Sequence, residues 1–152
     1  MPLINSFVLS CEWTPEVDQL CQILDLGETR VGYASNVITF TKNTLNTATI
    51  PYTFVAGVPI KISARVHSVD GMDIFVDGVK GANNADTGDI ISPNAQLFTG
   101  SNQGTSQHIN GNIGAISIIN GDISDRDITG TKAVTHNGDQ VVHGADEVVY
   151  TE

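Results

Sequence analysis

Positively charged residues are scarce in this chain. Seven Lys and Arg stand against seventeen Asp and Glu over 152 residues, so the formal net charge is −10. A surface of that sign repels a phosphate backbone, and we expect no nucleic-acid partner. The acidic residues are scattered rather than gathered in one block, which indicates a solvated surface with no binding role of its own.

Long hydrophobic runs are also absent. No apolar stretch approaches the roughly 20 residues that cross a bilayer, and residues 1–22 lack the basic start and apolar run of a signal peptide. We therefore expect neither membrane insertion nor conventional secretion. A protein of this kind still reaches the cell exterior when it is assembled into a virus and released by lysis, which is consistent with an extracellular location on a virion surface.

Cysteine and aromatic residues are few. Cys11 and Cys21 are the two cysteines of the chain. Two buried free thiols are the preferred interpretation, and a disulfide stays open because it depends on the Cα separation. No His or further Cys lies near them to complete a zinc site. Trp13 and Phe75 are expected in or near the core. Phe98 falls in a long loop, where exposure and burial are equally expected.

What remains is typical of an all-β protein. Hydrophobic residues make up 40% of the chain and charged residues 16%, and no window of a dozen residues has sustained helical spacing. Apolar and polar residues alternate in Ile60–His67, which predicts a half-buried antiparallel strand. Asp70-Gly71 and Asp77-Gly78 then supply the positive φ angles of tight hairpin turns. The predicted meander has strands at residues 60–69, 72–76 and 79 onward.

Further strands are predicted on both sides of this meander. They cover residues 6–13, 22–26, 30–33, 37–41 and part of 44–53, with Pro51 at an edge or a bulge. Gly81–Gln107 is predicted to be a long surface excursion with one short strand. Asn112–Ile119 is continuously apolar enough to predict a core strand covered on both faces. Ser124 is expected to cap a single helical turn that stops at Gly130.

The C-terminal end has a repeat of its own. Val134, Val141 and Val148 lead units that recur every seven residues. Asn-Gly, Gly-Ala and β-branched residues in these units favour short strands and turns over a coiled coil. Such strands need the sandwich or neighbouring chains to pack against, so we expect homo-oligomers. The predicted division is a sandwich domain over 1–131 and a β tail over 132–152.

Several motifs follow one another in a recognisable order. They are the strand ending Trp13-Thr14-Pro15, the segment Ile23–Gly27, the hairpin Asp73–Gly78, the strand Asn110–Asn120 and the ending Ile123–Ile128. In this order they resemble the laminin-G-like, concanavalin A-like lectin/glucanase superfamily over residues 5–130. Ile123 and Asp127 replace the leucine and glutamate usual in the last motif. The resemblance implies an antiparallel β-sandwich of jelly-roll, concanavalin-like topology.

The sequence offers no convincing catalytic group. Glycosidases on the resembled fold place two or three carboxylates along one strand. The nearest match is Glu16-Val17-Asp18, and Cys21 stands where the third carboxylate would be expected. No Gly-x-Ser-x-Gly elbow positions a serine for a Ser-His-Asp arrangement. We therefore expect no catalytic residues and no enzyme activity.

A ligand-binding rim is predicted in the loops. Members of the resembled superfamily often hold calcium there through Asp and Asn oxygens. The candidate rim residues are Asn83, Asn84, Asp86, Asp89 and Phe98. The preferred interpretation is no metal and no cofactor, because any turn-rich loop contains Asn and Asp. Calcium at this rim is one alternative, and a metal shared by His136 and His143 of stacked copies is another.

The function predicted from these features is a structural one. The Gly- and Thr-rich body with a repeated β tail looks like proteins of tailed-phage particles, where such sandwiches serve as tail-fibre, spike or capsid-decoration modules. The leading hypothesis is a non-enzymatic virion protein on the particle surface, whose partners are other virion proteins and sister chains. The alternative is a carbohydrate-binding lectin domain on a phage or bacterial surface, with a cell-surface glycan as its partner.

Overall fold

The structure is a computed structural model. It describes residues 6–27, 29–43, 45–87, 97–100, 108–109 and 111–129, and the backbone of residues 132–136, 139–143 and 148–150. The strands are β1 Phe7–Pro15, β2 Cys21–Asp25, β3 Arg30–Ala34, β4 Val37–Lys42, β5 Asn46–Pro51, β6 Ile60–His67, β7 Gly71–Val76, β8 Val79–Lys80, β9 Phe98–Thr99, β10 Gly111–Asn120, β11 Lys132–His136, β12 Asp139–His143 and β13 Val148–Tyr150. The helix α1 is Asp125–Thr129.

Two five-stranded antiparallel sheets form a sandwich. Sheet A has the order β10-β1-β6-β7-β8, and sheet B has the order β5-β4-β3-β2-β9. Strands β11, β12 and β13 form a separate three-stranded antiparallel sheet, as the valine-led repeat predicts. The predicted all-β sandwich is confirmed. Within the described ranges, no helix has the length and apolar content needed to span a membrane.

The core lies between sheets A and B. Alternation along each strand turns Phe7, Leu9, Cys11 and Trp13 of β1 inward, and the facing residues of sheet B complete one continuous apolar cluster. Aromatic rings gather at one end of this core. The ring centroid of Trp13 lies 5.6 Å from that of Tyr33. Trp13 is therefore a core residue, as predicted.

The predicted meander is present as β6, β7 and β8. The second hairpin turn is the predicted pair, because Asp77 and Gly78 have φ angles of 49° and 78°. The first turn is longer than predicted. Strand β6 ends at His67, which pairs with Gly71, and three residues connect them. Gly71 has a φ of 86°, and a Cβ there would come within 2.2 Å of the Asn84 carbonyl oxygen, so only glycine fits.

The strand predicted at residues 112–119 is present as β10, but its predicted place in the core, covered on both faces, was wrong. Strand β10 is an edge strand of sheet A, and β1 is its one partner among the described strands. None of its residues is buried, and Ile116 and Ile119 are 36% and 50% exposed. A continuous apolar run does not distinguish a strand between two neighbours from a strand with one neighbour. The missing second neighbour leaves β10 open.

The start of the predicted surface excursion crosses from one sheet to the other. We call residues 81–86 the strap. Ala82 pairs with Thr49 of β5 and Asn84 pairs with Met72 of β7, so the strap joins sheet B to sheet A. The buried Lys42 of β4 holds its end through an ion pair of 2.9 Å with Asp86. Strand β9 is the single short strand in the described part of Gly81–Gln107, and the rest of that prediction lies outside the described residues.

An ion-pair network covers the outer face of sheet A. Arg65 of β6 is fully buried and forms an ion pair with Asp73 of β7 and another, of 2.6 Å, with Asp125 of α1. Burial alone would raise the pKa of Asp73, but hydrogen bonds from Arg65, Asn83 and Lys80 outweigh burial and hold that pKa below its ordinary value. The arginine thereby fastens α1 onto the sheet.

The helix starts where the sequence predicts it. The Ser124 hydroxyl accepts a hydrogen bond of 3.3 Å from the backbone N–H of Asp127, which is the expected N-cap contact. Phe75 is buried, but on the outer face of sheet A beneath Arg65, whose guanidinium carbon lies 5.7 Å from the ring centroid. Phe75 therefore packs under the charge network and lies outside the apolar core cluster.

We predict that Arg65→Met lowers the free energy of unfolding by about 3 kcal/mol or more, because it leaves Asp73 as a buried charge that has lost its main partner. Urea denaturation followed by circular dichroism measures this change. Asp70→Asn is the matched control: Asp70 is 51% exposed and lies 3.7 Å from Arg65, so about 0.5 kcal/mol or less is expected. Equal effects of the two substitutions would contradict the role of Arg65 as the main partner of the buried Asp73 carboxylate.

Candidate functional site

The outer face of sheet B presents polar side chains in ordered rows. Val31 and Tyr33 of β3 point into the core, so Arg30, Gly32 and Ala34 face outward. The register of the sheet sets one row across the strands: Gln22, Gly32, Thr39 and Thr49. It sets a second row beside the first: Arg30, Thr41 and Thr47.

A groove opens above Gly32. Gln22 and Thr39 flank this glycine across the sheet, Arg30 and Ala34 flank it along β3, and the cavity has a volume of about 160 Å³. A Cβ on residue 32 would lie 3.0 Å from Gln22 Oε1 and 3.2 Å from the Cys21 carbonyl oxygen. The missing side chain therefore keeps the floor open. We call this cavity the sheet B groove; its lining is Leu20, Cys21, Gln22, Arg30, Gly32, Tyr33, Ala34, Thr39 and Thr41.

Most side chains that line the groove are uncharged. Its hydroxyl and amide side chains both donate and accept hydrogen bonds. Leu20 is 56% exposed at the rim and supplies apolar surface. Arg30 is the one ionised side chain in the lining, which contains no Asp or Glu. Its Nε atom is buried and has no hydrogen-bond partner. The groove thus offers polar contacts, an apolar rim and one cation.

The rim beside the groove is held by a tyrosine. The Tyr33 hydroxyl donates a hydrogen bond of 2.7 Å to Asp18 Oδ1. Burial, and then the bond to Asp18, raise the pKa of Tyr33 to about 12, so the hydroxyl keeps its proton and remains a donor. Gln19 Nε2 donates to the His108 carbonyl oxygen over 3.0 Å. These two contacts hold Asp18 and Gln19, and thereby position Leu20, the next residue in the chain.

The residues of the predicted rim lie in two separate places. Asn83, Asn84 and Asp86 belong to the strap, at the β5 edge of sheet B. Phe98 is half-buried in β9, at the opposite edge of sheet B. Asp89 lies outside the described residues. The structure therefore does not bring Phe98 together with the other three, and their joint role as a ligand-binding rim stays a prediction.

The three strap residues make contacts within the protein. Asn83 Nδ2 donates to Asp73 Oδ1 over 2.9 Å, and Asn84 Nδ2 donates to the Thr47 carbonyl oxygen over 3.1 Å. Asp86 Oδ2 accepts from Asn46 Nδ2 over 2.7 Å, in addition to its ion pair with Lys42. These bonds hold the two sheets together, which is a structural role that the sequence analysis did not assign to them.

Metal ligands do not cluster in the described part of the chain. No group of three or more His, Cys, Asp and Glu there could hold a metal ion. The ammonium of Lys42 already neutralises Asp86, which opposes a calcium ion at that carboxylate. The side chains of His136 and His143 lie outside the described residues. The prediction of no metal stays a prediction, and calcium at the rim and a metal at the histidines stay its alternatives.

The sequence carried a signal for the groove that the sequence analysis did not use. Gly32 interrupts a strand between Val31 and Tyr33, and a glycine inside a strand often marks close approach of a ligand or another backbone. Thr39 and Thr41 alternate with buried Ile38 and Phe40 on the neighbouring strand. Together these patterns place an open floor beside hydroxyl groups on one face.

The fold is a jelly-roll β-sandwich of concanavalin-like topology, as the motif order predicts. No protein-family model matches the sequence, and no curated protein is similar to it in sequence. The topology is therefore assigned from the structure, and the similarities that were found are to solved structures.

Three of these solved structures illustrate the class. A candidate carbohydrate-binding protein from Bacteroides ovatus superposes with a TM-score of 0.72 at 8% identity, over 91% of this chain and 49% of that chain. The CBM40 domain of the Ruminococcus gnavus IT-sialidase, bound to α2,3-sialyllactose, gives 0.66 at 10% identity, over 84% and 83%. A heptameric SAP-like pentraxin from Limulus polyphemus gives 0.64 at 10% identity, over 85% and 70%.

These similarities establish the fold. The chain spans about half of the Bacteroides ovatus protein, and identities of 8% and 10% do not allow the roles of residues to be transferred. Of the three, the Bacteroides ovatus protein is described as carbohydrate-binding and the CBM40 domain is bound to a sialylated sugar; a further similar structure, of botulinum neurotoxin type C, is described as interacting with gangliosides.

We predict that both cysteines resist thiol reagents in the folded protein. Cys11 and Cys21 are free and buried, and burial raises their pKa values to about 12 and about 11. At pH 8 their labelling by a disulfide reagent should be at least about 100-fold slower than that of an exposed thiol, because the thiolate is the reactive form. Unfolding in guanidinium should release both thiols. Rapid labelling of the native protein would contradict their burial.

Proposed function

We propose that this protein is a non-enzymatic carbohydrate-binding module that holds its ligand in the sheet B groove. The observation that carries the proposal is the open floor at Gly32, surrounded by side chains that donate and accept hydrogen bonds. The lectin-like fold supports it, since the solved structures of that class are described as carbohydrate-binding.

The groove suits part of a sugar better than a drug-sized ligand. Its volume of about 160 Å³ is well below the roughly 300 to 1,000 Å³ of small-molecule pockets. Sugars present hydroxyl groups around an apolar ring face. Thr39, Thr41 and Gln22 match the hydroxyl groups, while Leu20 and Ala34 match the apolar face. One sugar unit resting on the sheet, with the rest of the glycan in solvent, fits these dimensions.

Hydrolysis is not part of the proposal. Glycosidases need two carboxyl groups on either side of the scissile bond, and no Asp or Glu lines the groove. Asp18, the nearest predicted candidate, accepts the hydrogen bond of Tyr33 instead. Binding without turnover is the activity that these side chains support.

Gly32→Val is the direct test of the groove. The valine side chain would fill the floor, and because its Cβ would lie 3.2 Å from the Cys21 carbonyl oxygen, a thermal melt first checks that the variant is folded. We expect at least a tenfold loss of affinity for the glycan that wild-type protein selects on a glycan array, measured by titration calorimetry. Thr47→Val is the control, since Thr47 shares the face but lies outside the groove. Unchanged binding by a folded Gly32→Val protein would rule out this site.

Strand β10 supports a second role, in assembly. Edge strands are normally protected by shortness, charge, proline or a cover. Strands β8 and β9 have two residues each, and β5 is covered by the strap and ends at Pro51. Strand β10 has ten residues, no charge and no proline, and none of them is buried. It is the one unprotected edge among the described edges of sheets A and B.

We propose that a second copy of this chain covers that edge. Two antiparallel β10 strands related by a two-fold axis would continue sheet A across both subunits and cover Ile116 and Ile119. Charge favours this place, because a chain with a net charge of −10 repels its copies least along an uncharged strand. Display on a virion, as capsid decoration or tail fibre, stays a prediction from the sequence.

We predict that Ile119→Lys shifts the protein from dimer to monomer, because a lysine on the edge opposes strand pairing. Sedimentation equilibrium over a range of concentrations measures the shift. Val79→Lys is the matched control on the edge strand β8, where Val79 is 65% exposed, and it should leave the association unchanged. A wild-type monomer at every concentration, or an Ile119→Lys dimer, would overturn the pairing.

A further inference from the structure

We infer that the sheet B groove selects acidic saccharides, whose carboxylate is bound by Arg30. This inference rests on the proposed carbohydrate-binding function and names the class of its ligand. Three observations support it: the charge of the lining, the hydrogen bonding of Arg30 and the position of Arg30 beside the open floor.

The charge of the groove is opposite to that of the chain. Acidic residues outnumber Lys and Arg by seventeen to seven, yet Arg30 is the one ionised side chain in the lining. Three other cations of the described part have carboxylate partners: Lys42 pairs with Asp86, while Arg65 and Lys80 pair with Asp125. Arg30 has no ion pair with any residue that the structure describes. Its charge is therefore available to a ligand.

The ladder partner of Arg30 on β2 is a carboxylate that makes a hydrogen bond to another residue. Asp25 lies opposite Arg30 in the β2–β3 ladder, so it could have neutralised the arginine. Its Oδ1 atom instead accepts a hydrogen bond of 2.6 Å from the backbone N–H of Gly27, and the residue is fully buried.

The guanidinium also lacks a hydrogen-bond acceptor. Arg30 Nε is buried without a partner, which is unfavourable for a charged donor. A carboxylate that reaches the guanidinium would accept from two of its N–H groups at once, in the paired geometry that arginine forms with planar anions. A neutral hydroxyl would satisfy one of these donors. The unsatisfied fork therefore favours a carboxylate over a hydroxyl group.

The position of Arg30 allows a sugar ring to reach it. Arg30 and Gly32 are two residues apart on β3 and face the same side, so a ring over Gly32 can direct a carboxylate toward Arg30. Thr41 is the ladder partner of Arg30, and Thr39 is that of Gly32. The hydroxyl groups of these threonines lie along the ring while the carboxylate is held at one end.

The net negative charge of the chain does not prevent this binding. Repulsion between the protein and an acidic glycan acts mainly at long range, and salt at physiological strength screens it over about 8 Å. A contact between a carboxylate and Arg30 at hydrogen-bond distance is screened much less. The local attraction therefore dominates once the sugar enters the groove.

The test compares glycans that differ in the acidic group alone. Three acidic glycans are titrated: one with glucuronic acid, one sialylated and one sulfated. Each is compared with a neutral counterpart, which is the methyl ester for the two carboxylates and the desulfated form for the sulfated glycan. We expect each carboxylate to bind at least tenfold more tightly than its ester. Arg30→Gln should bring the ratio of acid to ester affinity close to one, and Arg30→Lys should leave an intermediate ratio.

Lys61→Gln is the matched control. It removes the same charge as Arg30→Gln, but from an exposed residue on the outer face of sheet A. It should leave the acid-to-ester ratio unchanged. Thermal melts check that each variant is folded, and the Arg30 Nε–H resonance should shift when the acid is added to wild-type protein.

The outcomes separate this inference from the proposed function. Glycan binding that is lost in Gly32→Val but shows no preference for the acid would overturn the acidic class alone. Equal preference in wild-type and Arg30→Gln proteins would overturn the role of Arg30. A sulfated glycan preferred over both carboxylates would overturn the assignment to carboxylate. No binding of any glycan by wild-type protein would remove the proposed function itself.

Discussion

The ladder register between β2, β3 and β4 is the constraint on which the rest of the molecule depends. It sends Val31 and Tyr33 into the core and, by the same alternation, turns Arg30 and Gly32 outward. A slip of one residue in this register would place the arginine in the core and the two apolar residues in water. The stability of the sandwich and the shape of the groove therefore follow from one pairing, so neither varies without the other.

Much of the architecture could be predicted from the sequence because it depends on local alternation and turn chemistry. The pattern of Ile60–His67 and the pair Asp77-Gly78 predict β6, β7 and their hairpin, and Ser124 predicts α1. The order of motifs predicts the concanavalin-like sandwich. These features arise from residues that lie near one another in the chain, where sequence patterns are most informative.

Features set by distant residues could not be predicted in the same way. The apolar run of β10 predicts a strand but not its place at an edge, because that place depends on which strands pair beside it. The resemblance predicts a ligand rim at Asn83, Asn84 and Asp86, whose bonds to β4, β5 and β7 become visible only when the sheets are assembled. The position of Arg30 in the groove likewise depends on which strands pair beside β3.

The strap couples the local unfolding of the two sheets. It pairs with β5 in one sheet and with β7 in the other, and its carboxylate is tied to Lys42 from a third strand. Local fluctuations that release β5 must also break backbone bonds to β7, so the two layers exchange their amide hydrogens as one cooperative unit rather than as separate ones. The floor of the groove lies on the layer that this tie restrains, and a rigid floor loses less entropy when a sugar is immobilised on it.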